Sequence, residues 1–405
     1  MSKKKTNEVK KRHFFVIKIL WPYLIWKFAR RYKFKYQQYK NIKGPLLILG
    51  NHTVAEDPIL LSFLFPQWHN YYIASEQIFN LGLLSKMLVW AVNPIKKSKS
   101  MSDLSTIRKA KQIVNEGGTV AMFAEGNMTY SGQTVTINPA VVKLVRLLKC
   151  PVALYNTEGL YLSNPRWAVK PKKGKTTGYI KQIIEPSEYQ ALSDDELYQL
   201  IKDGLMVDCY DNKVLGEQKY VGDDLALGLE RLLFVDLKTG KPFKTYTAEN
   251  RLYSHDSDFT LRYDSYGYLY DQNNARYTLR QLELKTYESY IKFLDNNEYI
   301  CDELIMLEKT TDTKKKKLGE HIVNFYQDKI ILIKEGQEEL VFNFNEISTL
   351  AIQGKKKIII YVQDETYLMT LNELSSPLKY LVAYQYYNYK QGDQKDGLHI
   401  STFGL

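Results

Sequence analysis

From Pro45 to about Tyr210, short apolar runs alternate with stretches whose apolar residues recur at helical intervals, a texture that a layered α/β fold accommodates. The expected strands are Leu46–Leu49, Tyr71–Ala74, Thr119–Phe123, Val152–Tyr155 and Gly178–Ile184. Between them, Ser102–Glu116 places Leu104, Ile107, Ala110 and Val114 on one helix face and stops at Gly117-Gly118. Asn138 followed by Pro139 reads as a cap and first-turn proline ahead of a helix at Val141–Leu148. With 405 residues, 44% of them apolar, the chain can build more than one core.

The charge is concentrated at one end. Residues 1–43 hold 14 of the 56 Lys and Arg against the single acid Glu8, a local charge of +13 that leaves the remainder at −2. Within that arm, His13–Tyr36 interleaves Phe14, Ile17, Trp21, Leu24, Trp26 and Phe28 with Lys18, Lys27, Arg30 and Arg31. Its longest charge-free run, Ile19–Trp26, falls far short of the roughly 20 apolar residues a spanning helix needs. Amphipathic helices that lie in the headgroup boundary are expected, with cations meeting anionic lipid; the alternative is a helix whose aromatics cap the adjacent core. Nucleic acid is not an expected partner, because it calls for exposed cations without a membrane-seeking face. Cys150, Cys209 and Cys301 form no Cys-x-x-Cys pair, so neither a disulfide framework nor a metal site is expected, and the inner face of the cell membrane is the expected location.

Beyond about residue 226, Tyr, Asp and turn formers increase. The reading there is a small β-rich insert at 226–275, a helix and linker at 276–317 marked by the lysines Lys314–Lys317, a β-rich module at 318–392, and a tail to 405. Short strands such as Lys329–Ile333, Leu340–Phe344 and Lys357–Val362, closed by a helix at Pro377–Tyr387, give that module a pleckstrin-homology-like pattern.

The sharpest chemical signal is Asn51-His52-Thr53-Val54-Ala55-Glu56-Asp57-Pro58, directly after the apolar run LLILG. A histidine at a strand end with an aspartate five positions on lets the chain curl until carboxylate meets imidazole. That contact fixes the ring tautomer and leaves the other nitrogen free as a general base. A His–Asp pair without a serine implies that the substrate supplies the nucleophile. A second signal follows the run Thr119–Phe123: Ala124-Glu125-Gly126-Asn127-Met128-Thr129, a Gly-bearing turn whose N–H groups can cradle an anion.

Together these segments resemble the glycerolipid acyltransferases, the family of lysophosphatidic acid and glycerol-3-phosphate acyltransferases. Asn51, His52 and Asp57 match its N-H-x-x-x-x-D motif, and Phe123, Glu125 and Gly126 match part of F-P-E-G-T-R-S. Asn93–Ser98 and Cys150-Pro151-Val152 resemble the second and fourth motifs, so four motifs stand in order across residues 45–210. The resemblance implies an acyltransferase domain at 44–225 with a central mixed sheet flanked by helices. It implies no cofactor and transfer of a fatty acyl chain from acyl-carrier protein or acyl-CoA to a lysophospholipid hydroxyl, in phospholipid biosynthesis. His52 and Asp57 would be catalytic; Asn51, Lys96, Lys97, Glu125, Gly126, Asn127 and Pro151 would bind substrate. Lys97 reads equally well as a solvated loop lysine. Met128 stands where the family carries a phosphate-binding Arg, which leaves three possibilities: another cation compensates, the acceptor lacks that phosphate, or activity is low. The alternative to an enzyme is a non-catalytic lipid-binding protein on a decayed acyltransferase scaffold, against which the intact His52 and Asp57 pair stands. Some bacterial members carry a zinc ribbon beyond the catalytic domain. Here Asp236, Thr239, Ser254 and Ser257 occupy the thiolate positions, implying a metal-free relic held by its aromatics, with His255 a turn residue.

Overall fold

The computed structural model describes residues 8–9, 16–66, 69–75, 83–97, 104–134, 136–297, 299–310, 315–363 and 365–392. Most of the basic arm before Val16, Ser98, Ser102, Thr311–Lys314 and the tail from 393 therefore lie outside the described residues. The chain divides into two compact units, one of residues 1–165 and 172–221, the other of 166–171 and 222–405.

In the first unit seven strands form one sheet: β1 (Phe34–Tyr36), β2 (Leu47–Gly50), β3 (Asn70–Ser75), β4 (Ile95–Lys97), β5 (Thr119–Phe123), β6 (Val152–Glu158) and β7 (Thr176–Ile184). Their order is β1-β7-β6-β2-β5-β3-β4, with only the β6–β7 pair antiparallel. The sheet is mixed, as expected. Because successive residues of a strand face opposite sides, β2 splits its apolar run between two cores. Leu47 and Leu49 join Tyr71, Val120, Val152 and Leu154 on one face, while Leu46 and Ile48 join Tyr72, Ala121 and Ala153 on the other.

Eight α-helices belong to this unit among the described residues, the first preceded by a π-helical turn at Val16–Leu20: α1 (Trp21–Arg31), α2 (Asp57–Leu64), α3 (Leu83–Val92), α4 (Leu104–Asn115), α5 (Ala140–Leu148), α6 (Leu160–Ser163), α7 (Pro186–Gln190) and α8 (Asp194–Leu205). The first face is covered by α4, α5 and α8, through Ile113, Val145 and Ile201 among others. The second is covered by α1 and α2, through Phe28, Leu60 and Phe63, and by Val92 at the end of α3. The Asn138 side chain accepts from Ala140 N at 2.9 Å and so caps α5, whereas α8 opens with a reciprocal Ser193–Glu196 capping box.

Helix α1 divides its apolar residues between two stripes. Trp21, Leu24, Ile25 and Phe28 face the core, while Tyr23 and Trp26 are more than half exposed. Among the described residues no helix is long and apolar enough to cross a membrane.

In the second unit, β8 (Thr245–Ala248), β9 (Arg251–Ser254), β10 (Thr260–Tyr263), β11 (Leu269–Tyr270) and β12 (Arg276–Tyr277) form an antiparallel meander. Helix α9 (Leu279–Asp295) follows, and a second sheet ends in helix α10 (Leu378–Lys390). That sheet contains β13 (Tyr299–Thr310), β14 (Lys315–Tyr326), β15 (Lys329–Ile333), β16 (Leu340–Asn343), β17 (Ile347–Gln353), β18 (Lys357–Val362) and β19 (Glu365–Thr370). Its order is β16-β15-β14-β13-β19-β18-β17.

Two expectations are corrected here. Within the expected helix and linker at 276–317, residues 299–310 and 315–317 are strand: β13 and β14 pair up to Thr310↔Lys315, so the β-rich module begins at Tyr299. Lysines are tolerated there because β15 pairs with β14 only from Ile322 to Phe325, and the end of β14 projects past it into solvent. The insert is likewise held by more than aromatics. Fully buried Asp236 accepts from Ser254 Oγ and Ser257 Oγ, each at 2.7 Å, and from Lys238 N at 2.8 Å and Thr239 N at 3.3 Å. Three of the four positions singled out as thiolate replacements, Thr239, Ser254 and Ser257, therefore converge on the fourth, the Asp236 carboxylate. No group of three or more His, Cys, Asp or Glu side chains among the described residues is placed to hold a metal. His255 stacks on Tyr246, with ring centroids 4.3 Å apart.

Candidate active site

The chain leaves β2, crosses to β3 and β4, returns to β5 on one side of β2, and then passes to β6 on its other side. Beyond the C-terminal end of β2 the connections thus diverge, which is where open α/β sheets form crevices. His52 lies two residues past β2, Glu125 two past β5, and Thr157 next to last in β6.

The local geometry of the Asn51–Asp57 segment follows from α2 starting at Asp57. In the first turn of a helix a carboxylate meets unsatisfied N–H groups, and here it reaches backwards. Asp57 Oδ2 accepts from Thr53 N at 2.6 Å and Val54 N at 3.0 Å, and lies 2.9 Å from His52 Nδ1. Asp57 is fully buried, while the His52 side chain keeps 21% of its surface exposed. Held at Nδ1, the ring presents Nε2 as its free nitrogen. One ring face stacks on Phe123 at 4.7 Å, and Phe123 stacks in turn on Tyr72 at 6.4 Å. Tyr72 donates to Pro58 O at 2.5 Å, returning the ladder to α2.

A second set of bonds fixes the backbone on either side of His52. The buried Asn51 side chain pairs with Thr157, accepting from its N at 3.0 Å and donating to its Oγ1 at 3.3 Å. The Thr53 and Thr157 hydroxyls are 3.4 Å apart. His52 N donates to Glu125 Oε1 at 2.6 Å, and His52 O accepts from Thr129 N at 3.0 Å. Glu125 is partly exposed as a residue, but its carboxyl is enclosed. Burial is the main force pushing that carboxyl up to about 8; the nearby Asp57 charge adds to it, and hydrogen bonds from His52 N and Thr134 oppose it. Gly126 closes the turn from Phe123 with φ +77°, a conformation that favours glycine, and leaves Gly126 and Asn127 exposed.

The expected site residues do not all gather here. Asn51, His52, Asp57 and Glu125 are bonded into one cluster, and Gly126 and Asn127 form its adjoining turn. Lys96 and Lys97 lie on β4, three strands from β2 and so roughly 14 Å away at the backbone. Lys96 is exposed; Lys97 is half-buried, and burial lowers its pKa. Pro151 accepts from Leu47 N at 3.0 Å, at the far end of β2 and roughly 15 Å along the strand from His52. Its place is structural. Asn51 supports the loop from beneath, its side chain turned to Thr157 inside the protein. Thr157 and Thr53 went unrecognised in the sequence, and nothing marked Thr157, because its role depends on the β2–β6 register.

Comparison with known proteins adds an independent line. A 1-acyl-sn-glycerol-3-phosphate acyltransferase of Borreliella burgdorferi is 26% identical over 128 residues, 30% of this chain, and the chain spans about half of that relative's length. The solved 1-acyl-sn-glycerophosphate (LPA) acyltransferase of Thermotoga maritima aligns over 46% of this chain and 77% of its own, at 17% identity and a TM-score of 0.38. The N-terminal PH domain of human ARAP2 aligns over 23% of this chain and 82% of its own, at 14% identity and a TM-score of 0.17. At those scores neither structural likeness carries an argument. The segment that holds His52, Asp57 and Glu125 is the one that matches a family model: residues 31–153 match the Acyltransferase family.

Proposed function

We propose that the chain transfers a fatty acyl group from a thioester donor, acyl-carrier protein or acyl-CoA, to the hydroxyl of a lysophospholipid at a membrane surface, with 1-acylglycerol-3-phosphate the leading acceptor. One observation carries the reading: a buried carboxylate holds Nδ1 of a partly exposed imidazole at 2.9 Å, at the divergence of the sheet. His52 Nε2 takes the acceptor's hydroxyl proton as its oxygen attacks the thioester carbonyl. As the tetrahedral intermediate collapses, the carbon–sulfur bond breaks and the imidazolium returns the proton to the leaving thiolate. Asp57 keeps the tautomer and stabilises the transient imidazolium. The match to the Acyltransferase family supports this chemistry, and the Borreliella relative supports the acceptor class.

Membrane attachment is assigned to the outer stripe of α1, where Tyr23 and Trp26 are exposed and Lys27 and Arg30 lie over their rings at 5.8 and 5.9 Å. The inner face of the cell membrane is the proposed location. Met128 favours a second reading, an acceptor without the phosphate that an arginine would bind there. Purified protein with labelled acyl-CoA or acyl-carrier protein and a panel of phosphorylated and unphosphorylated lysolipids tests both. Product formation that His52→Ala abolishes supports the reaction, and the preferred lysolipid selects the acceptor. Retention of more than a few per cent of transfer by a folded His52→Ala protein refutes the mechanism.

A further inference from the structure

Helix α3, which the sequence reading did not single out, exposes an apolar surface of its own. Met87 and Trp90 are more than half exposed and Val89 more than a third. Val89 and Trp90 follow the exposed Lys86 at the i+3 and i+4 positions, so the three share one helix face. The helix is anchored at its other end: Val92 packs into the same core as α1 and α2, and His69 Nε2 lies 2.6 Å from Val92 O.

The position of that core decides which way α3 faces. Both α1 and α3 pack on the Leu46/Ile48 side of the sheet, opposite α4, α5 and α8. The exposed stripe of α1, formed by Tyr23 and Trp26, therefore lies on the same side of the sheet as Met87, Val89 and Trp90. The His52 ring is on that side too, since it stacks on Phe123, which packs with Tyr72 in the same core. Charge narrows the occupant. Residues 16–36 and 83–97 contain nine Lys and Arg and no Asp or Glu. Arg31 pairs with Glu56 at 3.5 Å, while Lys27, Arg30 and Lys86 are exposed. Aromatic and aliphatic side chains interleaved with exposed cations complement the interface of an anionic bilayer, where Trp is enriched and Lys reaches the headgroups.

We infer that α3 is a second membrane-inserting element, which docks with α1 on anionic lipid and so turns the His52 side of the sheet towards the bilayer. The inference rests on the proposed membrane role but not on the proposed reaction. The test uses the full-length protein and sedimentation with vesicles of phosphatidylglycerol and phosphatidylcholine in equal parts, or of phosphatidylcholine alone. Met87→Ser/Trp90→Ser is expected to bind the anionic vesicles at least tenfold more weakly than wild type, as is Tyr23→Ser/Trp26→Ser, while Trp90→Tyr binds as wild type does. Brominated lipid is expected to quench less of the tryptophan fluorescence in Trp90→Phe than in wild type. Wild-type binding by the α3 pair, with undiminished quenching in Trp90→Phe, overturns the inference. So does an α3 pair that changes the oligomeric mass in solution but not vesicle binding, because the surface is then a contact between copies. Equal wild-type binding to both vesicle types overturns the electrostatic part. Turnover of a detergent-dispersed lysolipid is expected to be unchanged in the α3 pair. A wild-type protein that binds vesicles through α3 but transfers no acyl group refutes the reaction and leaves the docking surface standing.

Discussion

Replacing Glu125 by Gln tests the electrostatics beside His52 without changing the shape of the site. Glu125 Oε1 accepts from His52 N at 2.6 Å and from Thr134 Oγ1 at 3.4 Å, and a Gln carbonyl can accept both bonds. The difference lies in the carboxyl's ionisation. Burial, reinforced by the Asp57 charge, raises it from an ordinary 4.5 to about 8, so about nine molecules in ten hold it neutral at pH 7. At about 1.4 kcal/mol per pH unit, ionising it inside the fold costs on the order of 5 kcal/mol. The folded state keeps a proton that the unfolded chain loses above 4.5, so Glu125 contributes stability at low pH that is lost as pH rises to about 8. Glu125→Gln abolishes that loss. It is expected to match wild type near pH 5 and to exceed it by several kcal/mol at pH 9. Urea unfolding at pH 5, 7 and 9, followed by tryptophan fluorescence, measures this, since four of the five tryptophans lie within residues 1–165. If the two proteins stay within about 0.5 kcal/mol of one another across that range, the carboxyl is solvated and the argument fails.

Two further outcomes follow from the same bonds. Asp57→Asn can keep an oxygen at the Oδ2 position and a donor towards Thr53 Oγ1, so only the charge is lost. At about 4 Å and an effective dielectric of about 20, that charge is worth about 4 kcal/mol to an imidazolium, and kcat is expected to fall about a thousandfold with melting temperature nearly unchanged. A loss below tenfold in steady-state assays argues against imidazolium formation. Asp236→Ala strands the buried Ser254 hydroxyl, the half-buried Ser257 hydroxyl and two N–H groups, and is expected to destabilise the second unit by about 3 kcal/mol or more. Hydrogen exchange at residues 234–259 is the readout, and protection equal to wild type refutes it. Although burial raises the Asp236 carboxyl, hydrogen bonds from Ser257, Ser254, Lys238 N and Thr239 outweigh it and hold the group below its usual range. The stability it contributes is therefore present above pH ~4 and is lost as pH falls through the depressed value.

What could be read from the residues alone was local. Strand runs and helix faces are periodicities of two and 3.6 residues, and caps such as Asn138 close within two residues. The His52–Asp57 pair spans five residues, so a single turn entering α2 brings it together. Tertiary structure decided whatever depends on which strands are neighbours. Thr157 meets Asn51 across 106 residues because β6 pairs with β2, and the Glu125 carboxyl meets His52 N across 73 because β5 pairs with β2 on its other side. The same sheet order carried Lys96 and Lys97 away from the histidine, and the length of β2 separates Pro151 from it, although all three flank it in motif order. The lysines at 315–317 followed suit, because solvation reads alike in a loop and at a projecting strand end, and only hydrogen-bond partners tell the two apart. Composition showed that residues 16–36 are both apolar and basic, but a helix has two sides. Only the packed core showed that α1 turns one stripe inwards and leaves Tyr23 and Trp26 outside.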